Sequence, residues 1–362
     1  MGVFYVLLLV PIIMQHFSVK RTYAGKLQSV YEKNNRNALA FFFIFLTVLV
    51  MLRHVRIGND TRNYSAIFRG FSRMDWGQIW RSSMEVGFSY FNKIISIFTK
   101  ESQVYFAVTA LVTVVMIYPT YKRLCTDASL TIVLFSIMST FIMMFSGIRQ
   151  MLAVGLGCIA YELTRKKKFV SFILIVLLAM SFHVSAFMLI FMYPLYYAKI
   201  TKKWLLFIIP ILSVIFVFNQ PIFSALTMLL ERYTKYEGGI VSTGAYTMLV
   251  VFGAFAVFSF LVPDESKLGE EGIGLRNFLL LSIVVQMFAP LHTLAMRMNY
   301  YYIIFIPLLL PKVIESADVR WKQLARVGRY VMLVGFLVYF FFNAYNGKNL
   351  HVFPYHFFWE AV

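Results

Sequence analysis

The sequence is poor in charged residues, which make up 14% of its 362 positions. Soluble domains carry about 25%, so this deficit excludes an ordinary soluble domain, a disordered chain and a nucleic-acid-binding protein. Cysteine is also scarce, since only Cys125 and Cys158 occur, and they indicate neither a disulfide framework nor a metal site. Only 16 residues are acidic. No cluster of them requires a divalent cation, although the sequence does not exclude one, and we predict no metal site and no cofactor.

Apolar residues take the place of the missing charge. They form 60% of the chain, whose mean hydropathy is +0.72. Long apolar runs are typical of membrane-crossing helices, each of which needs about 20 residues. The sequence therefore predicts an all-α polytopic membrane protein with about twelve transmembrane helices in a single domain, 1–362. The runs cover 3–17, 38–52, 103–119, 130–146, 148–164, 169–182, 184–198, 204–219, 246–262, 278–296, 299–313 and 330–343.

The basic residues orient these helices. Short cytoplasmic loops carry an excess of Lys and Arg, and 21 of the 34 basic residues fall on one side if the weaker stretch 86–99 does not span. If that stretch spans, the basic run 165–168 lands outside, so we prefer the first arrangement. Both termini are then extracytoplasmic. The same side holds a long loop, 53–102, which we expect to fold back as interfacial helices, and a second loop, 220–245.

The basic residues predicted outside are mostly arginines. Nine of these 13 residues are Arg, against 8 of 21 inside, and the guanidinium group presents a planar fork of donors suited to phosphate oxygens. Arg149 and Arg297 are each predicted in an outward turn between apolar helices, where a charge usually faces a cavity or a partner. We predict that they bind an anionic ligand, assisted by Arg56 and Arg62. Lipid headgroups are the alternative partner for such a set.

Three residues on that side are candidates for acid–base chemistry. Asp60 and Glu85 lie near the arginines, and each is either a structural ion-pair partner, the commoner outcome, or a general base for a sugar hydroxyl. His183 is predicted at an outward turn at the level of Arg149, although a lone His in an apolar segment is more often a packing residue. Tyr300, near Arg297, could stack on a sugar or belong to an interfacial aromatic belt.

Six short motifs resemble those of the EpsG family of Wzy-type polysaccharide polymerases. Their order and placement carry the resemblance, which covers about residues 20–360. The second motif has Val86 where the family commonly has Pro, a departure that affects helix geometry more than chemistry. The motifs are GNDTRNY at 58–64, EVGF at 85–88, IRQMLA at 148–153, FHVSA at 182–186, RMNYYY at 297–302 and PYHFF at 354–358.

The resemblance implies a glycosyltransferase similar to the GT-C class, at the outer face of the bacterial inner membrane. Such a polymerase joins undecaprenyl-pyrophosphate-linked repeat units into O-antigen, capsule or exopolysaccharide and releases undecaprenyl pyrophosphate. The implied partners are the lipid-linked donor and acceptor, membrane lipid, a chain-length regulator and a flippase, and no nucleic acid. The catalytic candidates are Asp60, Glu85 and His183. The candidates for binding pyrophosphate or glycan are Arg149, Arg297, Arg56, Arg62, Tyr64, Gln150 and Tyr300.

Three other functions stay open. A membrane acyltransferase usually needs a His and an acid close in space, and His183 is available, but no acid lies near it in the sequence. An O-antigen ligase uses the same donor with a different acceptor and shares the long outward loop with arginines. A transporter of polysaccharide or lipid-linked glycan would carry its ionisable groups nearer mid-membrane on interrupted helices, whereas here they cluster at outward helix ends. The sequence does not identify the repeat unit or its linkage.

Overall fold

The computed structural model describes residues 1–17, 24–229, 243–346 and 351–361, with side chains described outside 17–29 and 226–243. Of these described residues 82% are helical, and none of them forms a strand. Short 3-10 segments occupy Val184–Phe191, Lys202–Trp204 and Val319–Trp321. The α-helices are α1 Gly2–Phe17, α2 Ala24–Leu52, α3 Thr61–Arg73, α4 Trp76–Trp80, α5 Val86–Phe98, α6 Ser102–Leu124, α7 Ala128–Ile137, α8 Ser139–Ser146, α9 Ile148–Arg165, α10 Phe169–Phe182, α11 Met192–Tyr197, α12 Leu205–Val217, α13 Asn219–Leu229, α14 Thr243–Leu261, α15 Glu265–Gln286, α16 Thr293–Ile303, α17 Ile306–Glu315 and α18 Lys322–Tyr345.

Several helices are long and apolar enough to cross a membrane. Among the described residues four qualify alone, and there are up to seven spans if each of three bent helix pairs counts as one. The bends are 65° between α7 and α8, 74° between α12 and α13, and 44° between α16 and α17. The prediction of an all-helical, multi-pass membrane protein is therefore confirmed. The count of twelve spans and the likeness to the GT-C class stay predictions.

The helix α5 covers the stretch whose topology the sequence left open. Its 13 residues extend about 20 Å at 1.5 Å per residue, well short of a hydrocarbon core of about 30 Å. Its buried side includes Phe88, Ser89 and Asn92, while Ile97 and Phe98 are exposed. This amphipathic pattern and short length favour a helix that lies at the interface.

The predicted helix boundaries around Arg297 were wrong. The sequence placed this arginine in a turn between apolar runs 278–296 and 299–313, but it lies inside α16. The chain breaks earlier, between the end of α15 at Gln286 and the start of α16 at Thr293. That segment contains Pro290, which has no backbone N–H to donate and therefore interrupts a helix.

The contacts divide the chain into two compact units, Met1–Ile190 with Val327–Val362, and Phe191–Arg326. The prediction of one membrane domain stays a prediction. In the first unit, α2, α6 and α9 pack in series, with α1 and α7 against α2 and α10 against α9. In the second unit, α15 packs against α11, α14, α16 and α17.

A buried arginine in the second unit differs from its predicted position. Arg276 falls between the apolar runs 246–262 and 278–296, where hydropathy predicts a loop, but it is 0% exposed within α15. Its guanidinium donates to Glu265 at 2.6 Å and to the Ile200 carbonyl at 2.9 Å, and it lies 4.0 Å from the centroid of the Phe260 ring. Because its partners cancel the charge, this arginine is part of the packing of the unit and is not a free loop cation.

The first unit has two chemically different ends. At one end the C-terminal segment 351–361 lies along the start of the long loop, where His54 N–H donates to the His356 carbonyl at 2.9 Å, and the rings of Phe4 and Phe353 lie 4.5 Å apart. At the far end of α6, about 34 Å away for 23 residues, Arg123 pairs with Glu162 at 2.9 Å. The N-terminus, the long loop and the C-terminal segment therefore share one end, and which side of the membrane that end faces stays a prediction.

Candidate active site

Four of the sequence motifs meet at the loop end of the first unit. Glu85 directly precedes α5, Arg149 is the second residue of α9, and His183 directly follows α10. The helix α10 packs against both α9 and α5. Helix ends that are brought together in this way place the three side chains in contact, although 98 residues separate the first from the last.

The Glu85 carboxylate is the centre of this cluster. Its Oε2 accepts a 2.6 Å charge-assisted hydrogen bond from Arg149 Nη1, and its Oε1 lies 3.4 Å from His183 Nδ1. The side chains of Glu85 and Arg149 are 15% and 25% exposed. The Coulomb attraction within an ion pair that is shielded from water to this extent is stronger than within a pair on the surface.

Two aromatic residues complete the surroundings of Arg149. Its guanidinium lies 5.7 Å from the centroid of the Phe88 ring, and the Tyr64 hydroxyl interacts with it. Burial raises the pKa of Tyr64, while the adjacent Arg149 opposes that shift. Tyr64 thus remains a neutral hydroxyl that can exchange hydrogen bonds with the arginine and a ligand.

The ion pair determines the protonation state of Glu85. Burial acts to raise the pKa of this carboxyl, but the polar contact with His183 and the charge of Arg149 outweigh it and lower the pKa to about 2. A general base works best when its pKa is close to the operating pH. Glu85 is therefore a permanent anion that orients its neighbours, and it is poorly suited to accept a proton.

His183 has the free ring nitrogen that a proton acceptor needs. Its side chain is 13% exposed and its Nδ1 lies 3.4 Å from Glu85 Oε1, and both ring nitrogens are buried without a well-formed hydrogen bond to a described residue. A carboxylate next to Nδ1 favours the tautomer that carries its proton there, which leaves Nε2 able to accept one. The Glu85–His183 contact therefore places a carboxylate beside the imidazole, and a short approach of the two groups would complete the arrangement of an oriented base.

Glu85→Gln should make the stability of the protein depend less on pH under acidic conditions. A carboxyl whose pKa is lower in the folded state stabilises the fold above its unfolded pKa, here 4.5, and loses that contribution as the pH falls through about 2. The thermal unfolding temperature of the detergent-solubilised wild type should thus fall more steeply below pH 4.5 than that of the variant. Between pH 6 and 8 the difference in unfolding temperature between the wild type and the variant should be constant. Glu101→Gln, which removes an exposed carboxyl of the same loop, is the control, and identical slopes for wild type and Glu85→Gln would contradict the ion pair.

Close backbone contacts hold the cluster in place. Gly58 has a φ of +82°, and a Cβ there would lie 2.3 Å from the Phe145 carbonyl oxygen. Next to it, Thr61 Oγ1 donates to the same carbonyl at 3.1 Å, and Asp60 N–H donates to Ser146 Oγ at 3.3 Å. The first motif therefore packs directly against the turn that precedes α9, the helix that carries Arg149.

Gly58→Ala should destabilise the protein by about 2 kcal/mol or more, because alanine resists positive φ and its methyl would meet the Phe145 carbonyl. Gly70→Ala is the matched control, since Gly70 lies within α3 and has open space at its Cβ position. That control should be neutral or slightly stabilising. Thermal unfolding in detergent measures both, and equal melting temperatures for the two variants would refute the close-packing account of this glycine.

The second motif has a similar steric requirement. A Cβ on Gly87 would lie 2.1 Å from Ser181 Oγ and 3.0 Å from the Ser181 carbonyl oxygen. Only a residue without a side chain lets α5 approach the end of α10 this closely. The glycine of EVGF therefore brings Glu85 next to His183.

The remaining predicted residues of the first unit lie around this cluster. Asp60 is half-buried, and its carboxylate makes no ion pair among the described residues. Gln150 is 3% exposed. Arg56 and Arg62 are exposed and line a cavity of about 480 Å³ together with Gly58, Asn59 and His351. Their assignment to substrate binding stays a prediction.

Arg297 and Tyr300 belong to the second unit. Arg297 is exposed on α16, while Tyr300 is 1% exposed and packed in the interior of that unit. A ring that is fully buried offers no face to a sugar in this conformation. The roles of both residues in substrate binding stay predictions.

Sequence reasoning missed His351 and Ser146. The His351 carbonyl accepts a hydrogen bond from Gly58 N–H at 3.2 Å, and Ser146 Oγ accepts one from Asp60 N–H. Neither residue lies in one of the six motifs. The Ser146–Gly147 pair directly before IRQ was a usable signal, because a small residue there permits close approach of another backbone. Within the described ranges, no three His, Cys, Asp or Glu residues are grouped so that they could hold a metal ion.

Comparison with known proteins finds one family. The model of the EpsG family matches residues 37–357, a span that contains five of the six motifs, all but the last residue of the sixth, the whole second unit and most of the first. No curated protein matches the chain, and no solved structure matches it.

Proposed function

The chain belongs to the EpsG family, which is a family of Wzy-like polysaccharide polymerases, and on this premise we propose that it polymerises lipid-linked oligosaccharide units. The units are carried by undecaprenyl pyrophosphate, and the reaction takes place at the outer face of the bacterial inner membrane, with an architecture of the GT-C kind. The product is an O-antigen, capsule or exopolysaccharide. The single observation that carries the proposal is the convergence of Glu85, Arg149 and His183 at one end of a membrane-embedded unit.

The proposed reaction is a glycosyl transfer. A hydroxyl oxygen of the acceptor unit forms a bond to the anomeric carbon of the donor, and the bond from that carbon to the pyrophosphate oxygen breaks. Undecaprenyl pyrophosphate leaves with the bonding electrons, and the hydroxyl proton passes to His183 Nε2. Glu85 orients the imidazole and stabilises the imidazolium that forms, as the carboxylate does in a His–Asp pair.

Arg149 has two roles in this reaction, one toward Glu85 and one toward the leaving pyrophosphate. One of its nitrogens, Nη1, holds Glu85, whereas Nε is buried with no hydrogen-bond partner among the described residues. A guanidinium has five N–H donors, so it can hold the carboxylate and also face the negative charge that develops on the leaving pyrophosphate. Donors that are already positioned for such charge commonly contribute a factor of about 10² to 10³ in rate.

Asp60 has a less defined part in this scheme. It lies one residue before α3, its side chain makes no capping hydrogen bond, and its backbone is fixed to Ser146. Its carboxylate is therefore available to orient the acceptor hydroxyl beside Tyr64. We assign it acceptor positioning and assign proton transfer to His183.

Purified protein supplied with undecaprenyl-pyrophosphate-linked repeat units tests the proposal directly. A ladder of products that differ by one repeat unit supports polymerisation. Transfer of a single unit to a different acceptor, without a ladder, would assign the protein to the O-antigen ligases. Movement of intact lipid-linked glycan across proteoliposomes without any new glycosidic bond would assign it to the transporters, and either result overturns the proposal.

A further inference from the structure

A second group of arginines lies in the cavity at the start of the long loop. Arg56 and Arg62 line it together with Gly58, Asn59 and His351, and no acidic residue is among these lining residues. The lining therefore carries a charge of at least +2. Neither arginine forms an ion pair with a described residue, whereas Arg149 is already paired with Glu85 at 2.6 Å. An anion would find two arginines here that are not held in an ion pair with a described carboxylate.

The cavity is built from two distant parts of the chain. Gly58 N–H donates to the His351 carbonyl at 3.2 Å. Nearby, His54 N–H donates to the His356 carbonyl, so a second backbone hydrogen bond joins the same two segments. Tyr355 Oη donates to the Leu49 carbonyl at 2.7 Å, and its side chain is mostly buried. The C-terminal segment is thus fastened to the loop and forms one wall of a preformed site.

This cavity is a different place from the Glu85 cluster. Arg62 and Tyr64 both belong to the first turn of α3, and side chains two residues apart leave a helix about 200° apart. Arg62 is exposed and lines the cavity, whereas Tyr64 is 6% exposed and faces Arg149. The two cationic places therefore lie on opposite faces of the same helical turn.

Two anion sites match the chemistry of a reaction with two lipid-linked substrates. We propose that the cavity lined by Arg56 and Arg62 binds the pyrophosphate of the acceptor unit, the one that does not leave. This assignment rests on the proposed function, because only a polymerase of lipid-linked units handles a second pyrophosphate. The planar forks of two arginines suit the oxygens of a diphosphate, and the cavity volume accommodates that group with part of the first sugar.

A cysteine placed in the cavity reports on its occupancy. Asn59→Cys introduces a thiol at an exposed lining position, and the two native cysteines are buried or half-buried. Inorganic pyrophosphate and geranyl pyrophosphate should each slow the labelling of this thiol by a maleimide. Sulfate at equal ionic strength and geraniol should not do so. Protection by glucuronate but not by pyrophosphate would assign the cavity to an acidic sugar and overturn the proposal.

Matched substitutions localise the effect. In the Asn59→Cys background, Arg56→Gln with Arg62→Gln should raise the pyrophosphate concentration needed for half protection by about tenfold or more, as expected for the loss of charge-assisted hydrogen bonds. Arg73→Gln removes an exposed arginine of the same helix that does not line the cavity, and it should leave protection unchanged. Arg149→Ala should also leave it unchanged. Equal protection in all variants, or loss only in Arg149→Ala, would overturn the proposal.

Kinetic measurements then distinguish whether the cavity binds the acceptor pyrophosphate or the donor pyrophosphate. Loss of a contact that is equally strong in the ground state and in the transition state raises KM and leaves kcat unchanged, and we assign the contact to the acceptor pyrophosphate to this class. Arg56→Gln with Arg62→Gln should therefore raise the KM for the acceptor about tenfold and change kcat less than twofold. A fall in kcat at saturating acceptor would instead place the leaving pyrophosphate here. If the wild type forms no glycosidic bond while pyrophosphate still protects the thiol, the proposed function fails and the anion site stands.

Discussion

Arg149→Ala is expected to lower the rate of polymer formation by about 100-fold or more, while the protein still inserts in the membrane. The substitution removes the donor that faces the leaving pyrophosphate, a loss that costs about 10² to 10³ in comparable sites. It also leaves the Glu85 carboxylate, 15% exposed, without its counter-charge. Gel analysis of polymer length in cells and the initial rate with purified protein both measure the effect. A normal length distribution from this variant would refute the role of Arg149.

Two further variants separate the functions of this arginine. Arg149→Lys retains the charge but loses the planar fork, so its single nitrogen cannot reproduce the fixed donor geometry that faces the carboxylate and the phosphate together. We expect it to recover folding but only a small part of the rate, and full activity would show that charge alone suffices. Glu85→Ala combined with Arg149→Ala removes both members of the pair. The double variant should be more stable than Arg149→Ala alone, since no buried charge remains unpaired, yet it should be equally inactive.

His183→Gln is expected to reduce the rate of glycosyl transfer by about 10² to 10⁴, the usual contribution of a positioned acid or base. The amide retains a polar side chain of similar size but cannot accept a proton at neutral pH. The Michaelis constants for donor and acceptor should change little, because His183 acts on the hydroxyl only as the bond forms. Initial rates at saturating substrates measure the loss.

The melting temperature of His183→Gln distinguishes a catalytic role from a packing role. A packing histidine would lower the melting temperature when it is replaced, and the rate would follow the amount of folded protein. A catalytic histidine would lose the rate with little change in melting temperature. Wild-type activity in His183→Gln would show that His183 is a packing residue, which is the commoner role of a lone His in an apolar segment.

The order of motifs along the chain predicted more of this site than any one motif did. Arg149 and His183 were expected at outward turns and Glu85 in the long outward loop, and the structure places them in one cluster. The division of labour among them could not be predicted. A carboxylate close to arginines is either an ion-pair partner or a base, and only the 2.6 Å bond to Arg149, with the resulting pKa of about 2, decides for the former.

Arg297 illustrates where sequence reasoning failed. Two apolar runs that almost touch predict a turn at the charged residue between them, because hydropathy alone places the break at the polar position. The chain instead breaks in the segment that contains Pro290, and α16 continues through Arg297. The loss of a backbone donor at proline outweighs the cost of a single charge, which can extend to the edge of a helix.

Composition and hydropathy by themselves determined that this protein is a helical, multi-pass membrane protein, because a chain with 60% apolar residues and 14% charged residues must satisfy its backbone within helices in lipid. The motifs determined the family. Only the tertiary structure decided which charges are neutralised, with Arg149 paired to Glu85 and Arg276 to Glu265. It also decided which arginines remain open to a ligand, with Arg56 and Arg62 in a cavity that has the C-terminal segment as one wall. The physical reason is that the strength of a charge depends on the groups within a few ångströms of it, and those groups come from residues far away in the sequence.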